Sequence, residues 1–343
     1  MTQKQKQIKV AFLRKLPEVV ENYINKNLKN NQRVSLYFPE TEKDSIPDDI
    51  LSNAEILVGW RPTIEILRNA KNLRLFIVPG TGVHHLIDLF KIINQERDIL
   101  LANGHGNSYF VAQHAVAMLL TLMNKIIPHH KWMKNGKWRT GDKEAASIPL
   151  RFKEVGLLGY GAINSKVHKF LSGFTVNFSV YRKHWKKQKR KLPTEVTRFE
   201  PPNLHDFLEK VDILFVAVPV TSETRQMIKL EELKLLGEGG IIINVARGII
   251  INEESLYKVL NEKIIQGAGI DVWYKSDPEP NELGEKYPFH YPFDELDNII
   301  LSPHRGYSPF TDLLRWDEVI ENIIRMTKEE KNFINLVDLN EEY

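Results

Sequence analysis

Short apolar runs alternate with amphipathic stretches in the first part of the chain. The runs cover residues 8–13, 34–38, 56–60, 73–78 and 99–102. The stretches between them, such as residues 16–28 and 62–70, carry apolar side chains at helical spacing. Strands that alternate with helices are typical of a parallel sheet with helices on both faces. The pattern therefore predicts a small α/β domain.

The same alternation returns later in the chain. Apolar runs cover residues 155–158, 176–181, 213–218, 241–245, 264–270 and 299–301, and an amphipathic helix is predicted over residues 311–328. This number of strands with intervening helices is what a complete dinucleotide-binding sheet requires. Residues 111–123 are apolar on nearly every face of a helix, which predicts a helix buried between domains or subunits. Residues 129–147 are polar and are expected to form an exposed excursion.

The run at 155–158 leads into a glycine turn, Gly159-Tyr160-Gly161, followed by residues that can open a helix. Backbone can approach a phosphate where side chains are absent, and a helix N-terminus offers unpaired N–H groups. The third glycine of the dinucleotide-binding fingerprint is replaced by Asn164. Taken alone, this imperfect copy also suits an ordinary strand-to-helix turn, so the nucleotide interpretation depends on the residues that follow.

Basic residues follow the second strand of this predicted sheet. Folds that prefer NAD carry an acidic residue about twenty positions after the glycines, where it binds the ribose 2′-hydroxyl. Here Arg182 and Lys183 stand at that place, and seven of the ten residues from 182 to 191 are basic. We therefore predict NADP(H) in preference to NAD(H). Lys186 to Lys191 are interpreted as a solvated loop.

Three polar residues follow three further strands. Arg247 comes after the run at 241–245, and its forked donors suit a planar carboxylate. His304 follows residues 299–301, and an imidazole can give or take a proton near neutrality. Asp271 can accept from the nicotinamide amide or orient a neighbour. The alternative for Arg247 is a surface ion pair, and the alternative for His304 is a structural role.

Composition narrows the class of protein. The chain has 343 residues, of which 42% are hydrophobic and 27% charged, and this length predicts about two domains. A net charge of +3 argues against nucleic-acid or membrane binding by charge. The absence of cysteine excludes disulfides and thiolate chemistry. With no signal peptide or membrane span in the sequence, we expect a cytoplasmic protein. No metal is expected, because the pairs His84-His85 and His129-His130 lack supporting carboxylate spacing.

The motifs together resemble those of the D-isomer-specific 2-hydroxyacid dehydrogenases, in the same order and over nearly the whole chain. They are the glycine turn, VPVTSET at 218–224, NVARG at 244–248, GAGIDV at 267–272 and SPH at 302–304, with GTGV at 80–83, Asn107 and VAQHA at 111–115. The resemblance implies two Rossmann-like, doubly wound parallel-sheet domains of the α/β class. A cofactor domain, residues 108–306, is inserted into a split substrate domain, residues 1–107 and 307–343. It also implies a homodimer, with residues 111–123 and 132–138 at the subunit contact.

The resemblance further implies a role for each motif residue. Arg247 holds the substrate carboxylate and polarises the C2 carbonyl, and His304 protonates the developing alkoxide as hydride arrives. Substrate binding is implied for the backbone of Thr81, Gly82 and Val83 and for Asn107. Cofactor binding is implied for Gly159, Tyr160, Gly161, Ala162, Ile163, Arg182, Lys183, Val218, Pro219, Thr224, Val245, Ala246 and Asp271.

One departure from the family pattern concerns the histidine. The family pairs it with a glutamate five residues after the motif aspartate, and Ser276 stands there in this chain. Asp277 is the expected replacement, with Glu279 second. The third alternative is that neither carboxylate reaches His304, which then lacks an ionic partner and donates a proton less readily at neutral pH. The expected function is an NADP(H)-linked reductase of a small 2-oxo acid such as glyoxylate or hydroxypyruvate, or the reverse dehydrogenase. A nucleotide-sensing regulator without turnover and a formate-type dehydrogenase are the alternatives.

Overall fold

The computed structural model describes residues 7–41, 46–138, 146–187, 191–309 and 312–343. It divides into two compact units. Unit 1 contains the residues up to Asn107 and those from Ser308 onwards, and unit 2 contains Ser108–Tyr307. Unit 2 ends at Tyr307, one residue later than predicted. Parts of the predicted excursion (139–145), the basic run (188–190) and the last predicted helix (311) lie outside the described residues.

The strands and helices follow one another in the alternation that the sequence predicts. In chain order the strands are β1 (Ile8–Phe12), β2 (Val34–Tyr37), β3 (Ile56–Val58), β4 (Leu75–Val78), β5 (Leu100–Asn103), β6 (Glu154–Leu158), β7 (Asn177–Tyr181), β8 (Thr197–Phe199), β9 (Ile213–Val216), β10 (Ile241–Asn244), β11 (Gly267–Ile270) and β12 (Ile299–Leu301). The helices are α1 (Glu18–Leu28), α2 (Asp48–Asn53), α3 (Ile64–Asn69), α4 (Ile87–Ile93), α5 (Ser108–Met123), α6 (Ile126–Lys134), α7 (Asn164–Leu171), α8 (Leu204–Lys210), α9 (Leu230–Lys234), α10 (Glu253–Asn261) and α11 (Asp317–Thr327).

Unit 1 is built on a parallel sheet with the strand order β2-β1-β3-β4-β5. One of its two hydrophobic clusters contains Trp316, Val319 and Ile323, which are completely buried together with residues of β1 and β4. Ala102 at the end of β5 also pairs with Leu336 in antiparallel fashion. The C-terminal segment therefore completes the core of unit 1, which explains why this unit is assembled from two separated parts of the chain. Helix α11 begins later than predicted, after a 3-10 turn at Leu313–Trp316.

Unit 2 contains a parallel sheet with the order β12-β11-β10-β9-β6-β7-β8. Its central strands are fully buried, as expected where helices cover both faces of a parallel sheet. The sequence predicts six of these seven strands. It misses the edge strand β8 because two of its three residues are exposed, so that no apolar run marks it. Both predicted parallel-sheet domains are thus present, and the α/β fold class is confirmed.

Helix α5 lies in the core of unit 2. Ala112, Ala115, Met118 and Leu119 are buried there with residues of β6 and β10. The prediction that this helix is buried is confirmed. The prediction placed it between domains or subunits, whereas these side chains pack inside unit 2. In the part of the chain that the structure describes, no helix by itself is long and apolar enough to cross a membrane. The pair α5 and α6, bent by 61°, passes that test jointly by length and composition.

Candidate active site

The glycine turn lies at the carboxyl end of β6, beside β9. The strand order reverses at this pair, and doubly wound sheets bind ligands at such a switch point. Gly159 has a φ of +79°, and a Cβ there would lie 2.7 Å from Cγ1 of Val218 and 2.8 Å from the carbonyl oxygen of Ala217. At Gly161 a Cβ would meet no described atom within 4 Å. The turn therefore requires the first glycine, while the second leaves its backbone open to a phosphate.

Arg182 lies beside this turn. Its Nη1 donates to the carbonyl oxygen of Tyr160 at 2.8 Å, and its Nε donates to the carbonyl oxygen of His184 at 3.0 Å. The adjacent Lys183 forms a partly exposed ion pair with Glu223, with 2.9 Å between Nζ and Oε1. Two cationic side chains thus stand at the end of β7, where the ribose of a dinucleotide is expected.

A buried histidine supports the turn from α7. Nδ1 of His168 lies 2.8 Å from the hydroxyl of Tyr160, and Nε2 lies 2.8 Å from Oγ1 of Thr194. Burial lowers the pKa of His168 to about 4 and raises the pKa of Tyr160 to about 12. Both groups are therefore neutral near pH 7, so that the Tyr160 hydroxyl can donate to Nδ1 while Nε2–H donates to Thr194.

This network predicts that the protein loses stability as the pH falls from about 6.5 to about 4. The pKa of His168 is lower in the folded than in the unfolded chain, so the unfolded chain binds more protons in this window. The contribution is fully present above about pH 6.5 and is lost as the pH falls through the folded pKa. For this group the slope reaches at most about 1.4 kcal/mol per pH unit.

The measurement is chemical denaturation at a series of pH values. The free energy of unfolding of His168→Gln should change less steeply with pH in this window than that of the wild type. His130→Gln serves as the control, because it removes an exposed histidine from the same unit. Equal slopes for the wild type and His168→Gln would contradict the prediction.

Arg247 follows β10 at the carboxyl edge of the same sheet. Asn244 shapes the turn before it: its Nδ2 donates to the carbonyl oxygen of Arg247 at 3.1 Å, and its Oδ1 accepts from the N–H of Ala246 at 3.0 Å. Nη1 of Arg247 donates to the carbonyl oxygen of Ala246 at 2.6 Å. Burial lowers the pKa of Arg247, but a guanidinium stays charged in proteins. Its remaining N–H groups suit a planar carboxylate.

The carboxylate of Asp271 organises the loop that carries His304. Its Oδ1 accepts from the Ser302 hydroxyl at 2.5 Å and from the N–H of Arg305 at 2.7 Å, and its Oδ2 accepts from the N–H of Gly306 at 3.0 Å. Asp271 is only 3% exposed. Of its two predicted roles, orienting a neighbour is the one that this geometry supports, and contact with a nicotinamide amide stays a prediction.

His114 of α5 reaches the same carboxylate. Its Nε2 lies 2.8 Å from Oγ of Ser302 and 3.5 Å from Oδ1 of Asp271. Burial by itself raises the pKa of Asp271, but hydrogen bonds from His114, Ser302 and two backbone N–H groups outweigh it and lower the pKa. Neither His114 nor Ser302 was predicted as a site residue. The available signals were a histidine in a largely apolar helix and a serine two positions before His304.

His304 is held mainly by backbone. It has a φ of +55°, an uncommon conformation for a residue with a side chain, and its Nδ1 lies 3.2 Å from the carbonyl oxygen of Asp271. If Nδ1–H donates to this carbonyl, Nε2 is left to face a ligand. Asp277 and Glu279 are exposed, and the structure records no ion pair between His304 and either carboxylate in the described residues. Both stay predictions without a contact in their favour.

The other predicted cofactor-binding residues occupy loops at the same edge of the sheet. Ala162 and Ile163 precede α7, Val218, Pro219 and Thr224 follow β9, and Val245 and Ala246 follow β10. The Thr224 hydroxyl donates to the carbonyl oxygen of Pro219 at 2.6 Å and so closes its loop. Val245 and Ala246 are buried, whereas Pro219 is exposed. Their contacts with a nucleotide stay predictions.

In unit 1, the predicted substrate-binding residues lie in two turns, after β4 and after β5. Oγ1 of Thr81 donates to the carbonyl oxygen of Gly104 at 3.0 Å and lies 3.3 Å from Oδ1 of Asn107. Nδ2 of Asn103 donates to the carbonyl oxygen of Thr81 at 2.8 Å. These bonds join the two turns to each other. The side chain of Val83 is buried, so this residue offers only its backbone, and Gly82 lacks a side chain.

Comparison with known proteins identifies the family. The sequence model described as "D-isomer specific 2-hydroxyacid dehydrogenase, NAD binding domain" matches residues 116–306. The glyoxylate reductase of Pyrococcus furiosus is 33% identical over 255 residues, which cover 72% of this chain and 70% of that protein. The D-3-phosphoglycerate dehydrogenase of Archaeoglobus fulgidus is 29% identical over 277 residues, 79% of this chain. The chain spans about half (49%) of the length of this second relative.

A solved structure has the same fold. The D-isomer specific 2-hydroxyacid dehydrogenase from Xanthobacter autotrophicus, in complex with NADPH and MES, superposes with a TM-score of 0.78. The match covers 98% of this chain and 100% of the other, at 21% sequence identity. At this identity the likeness is one of fold.

Proposed function

Because the chain belongs to the D-isomer-specific 2-hydroxyacid dehydrogenases, we propose that it transfers hydride between NADP(H) and a small 2-oxo or 2-hydroxy acid. The observation that carries this proposal is the placement of three elements at one edge of the unit 2 sheet. The glycine turn follows β6, Arg247 follows β10 and His304 follows β12. A glyoxylate-type substrate is favoured by the relative named glyoxylate reductase, and a hydroxypyruvate-type substrate by the relative named hydroxypyruvate reductase.

The proposed chemistry uses a fixed cation and a proton donor. Arg247 binds the substrate carboxylate through its forked donors and polarises the C2 carbonyl. His304 donates a proton from Nε2 to the alkoxide oxygen in reduction and takes it back in oxidation. Its Nδ1 is oriented by the carbonyl oxygen of Asp271 at 3.2 Å. When bound, the reduced nicotinamide supplies the hydride.

The residues around the turn fit a dinucleotide. Gly161 leaves open space for a pyrophosphate, and the N-terminus of α7 follows at once. Arg182, with Lys183 next to it in an ion pair with Glu223, supplies positive charge at the end of β7, where a 2′-phosphate of NADP(H) is expected. They support the proposed preference over NAD(H).

Arg182→Asp tests the cofactor preference. We expect the ratio of kcat/KM for NADPH to that for NADH to fall by roughly 10- to 100-fold, because a charge-assisted contact is replaced by repulsion. Lys186→Asp is the matched control, since it makes the same charge change at an exposed position of the same segment. The ratio is the readout because general damage to the turn lowers both values together. An unchanged ratio would refute the NADP assignment.

Turnover distinguishes the proposed enzyme from the alternatives. The absorbance of NADPH is followed with a panel of small 2-oxo acids that includes glyoxylate and hydroxypyruvate, and we expect oxidation with at least one. Nucleotide binding without turnover of any acid would favour a regulator on the same fold. Reduction of the oxidised cofactor with formate alone would favour a formate-type dehydrogenase. The sequence Asp271-Val272-Trp273-Tyr274 also resembles the corresponding segment of that class of enzyme.

A homodimer is proposed through the surface of α6 and the residues after it. Ile126, Ile127, Met133 and Trp138 are 53%, 40%, 54% and 78% exposed, and α6 has no buried residue in its unit. A second copy would remove these apolar side chains from water. Light scattering of the intact protein measures the mass, and a monomer at micromolar concentration would contradict the proposal.

A further inference from the structure

Asn164 occupies the place of the third fingerprint glycine and is completely buried at the first position of α7. Its Nδ2 lies 2.7 Å from the carbonyl oxygen of Gly159, 3.1 Å from that of Leu158 and 3.3 Å from that of Phe215. Leu158 ends β6, Gly159 begins the turn and Phe215 lies in β9. The amide therefore contacts the turn and both strands of the switch point at once.

The bond to Gly159 fixes the direction of the first peptide of the turn. In a planar trans peptide the C=O and the following N–H point in opposite directions. Since the Gly159 carbonyl points inward to the Asn164 amide, the N–H of Tyr160 is directed away from it. Arg182 acts in the same way on the next peptide, because its Nη1 holds the Tyr160 carbonyl at 2.8 Å. Two side chains thus hold the two peptides whose N–H groups a phosphate can meet.

The other atom of the amide shows that stability alone does not explain this asparagine. Oδ1 of Asn164 is buried and has no hydrogen-bond partner among the described residues. An unsatisfied buried acceptor is destabilising, and it offsets what the donor side of the amide contributes. The carbonyl of Leu158 in addition already accepts from the N–H of Ala217 at 3.0 Å. We therefore expect Asn164 to contribute little to the free energy of unfolding and to act mainly by holding the backbone of the turn in one conformation.

We propose that Asn164 is a positioning residue for dinucleotide binding: its side-chain amide clamps the phosphate-binding turn in a way that the usual glycine cannot. The inference rests on the proposed function, since it concerns the same nucleotide site. It goes beyond that function by assigning a role to the one position where this chain departs from the fingerprint. A rigid, pre-formed turn binds the pyrophosphate more tightly because less ordering is required on binding.

The test uses Asn164→Leu, which keeps the branched shape of the side chain and removes both the donors and the unpaired acceptor. NADPH and NADH binding are measured by titration of intrinsic fluorescence, and thermal unfolding is measured without nucleotide. We expect Kd to rise about tenfold or more for both nucleotides, with Tm lowered by no more than about 3 °C. If Asn164 only stabilised the fold, Asn164→Leu would lower Tm by more than this and leave Kd for both nucleotides unchanged.

Asn322→Leu is the matched control. Asn322 is also completely buried, but it lies in unit 1 and both of its amide atoms are paired with the backbone of Ile334. This variant should lower Tm and leave Kd unchanged. If Asn164→Leu does not fold, Asn164→Gly restores the fingerprint and is expected to show the same weakened binding.

Two results separate the two proposals. If the wild type binds neither nucleotide, the proposed function fails. If the wild type binds and folded Asn164→Leu or Asn164→Gly binds with unchanged Kd, the clamp is overturned while the proposed function stands.

Discussion

Arg247→Ala is expected to lower kcat/KM for a small 2-oxo acid by about 3–5 kcal/mol of transition-state stabilisation, which is roughly two to four orders of magnitude. The loss is large because the guanidinium is half-buried and its turn is preformed. Nη1 and the Asn244 side chain already fix the backbone around it. The measurement is steady-state kinetics with glyoxylate at saturating NADPH.

Two further variants identify the cause of this loss. Arg247→Lys keeps the charge but removes the fork, so it should recover only part of the activity. Arg151→Ala removes an exposed arginine before β6, at the opposite edge of the same sheet, and should leave kcat/KM unchanged. Activity of Arg247→Ala within a few-fold of the wild type would remove this residue from the mechanism.

His304→Gln is expected to lower kcat by roughly 10²- to 10⁴-fold while NADPH still binds, because glutamine can hydrogen-bond a substrate oxygen but cannot transfer a proton at this rate. The backbone of the loop should be retained, since Asp271 holds it through the N–H groups of Arg305 and Gly306. Single-turnover kinetics, together with nucleotide titration, separates the chemical step from binding.

Asp277→Asn is the companion variant. The structure shows His304 against a backbone carbonyl and Asp277 exposed, so we expect this change and Glu279→Gln to alter kcat by no more than about twofold. If Asp277 is instead the ionic partner, the pH profile of the variant loses its upper limb nearer to neutrality. A His304→Gln enzyme with unchanged kcat would exclude the histidine as the proton donor.

The sequence was sufficient for the strands that are buried and for the residues that follow them. An apolar run such as residues 241–245 predicts a central strand because both faces of that strand must be covered. A polar residue within a few positions of the end of such a strand is then expected at the carboxyl edge of the sheet, as Arg247 and His304 are. The same reasoning fails for β8, whose exposed residues at the edge of the sheet leave no apolar pattern.

The hydrogen-bond partners of these polar side chains could not be predicted from the pattern of apolar runs. A carboxylate partner of His304, Asp277 or Glu279, stays a prediction. The structure adds the contacts of Asp271 and His114 with Ser302, in the loop that carries His304. His114 and Ser302 are separated by 188 positions. Nothing local in either segment indicates that they meet. Asn164 was visible only as a missing glycine until its three carbonyl contacts were known.

The sequence by itself determined the alternation of elements, the two parallel sheets and the edge at which the polar residues gather, because burial imposes a local period on the chain. Only the tertiary structure decided which donor meets which acceptor. Hydrogen bonds depend on ångström distances between segments remote in sequence, such as Asn164 with Phe215 or His114 with Ser302. The pattern of hydrophobic residues along the chain does not predict these distances.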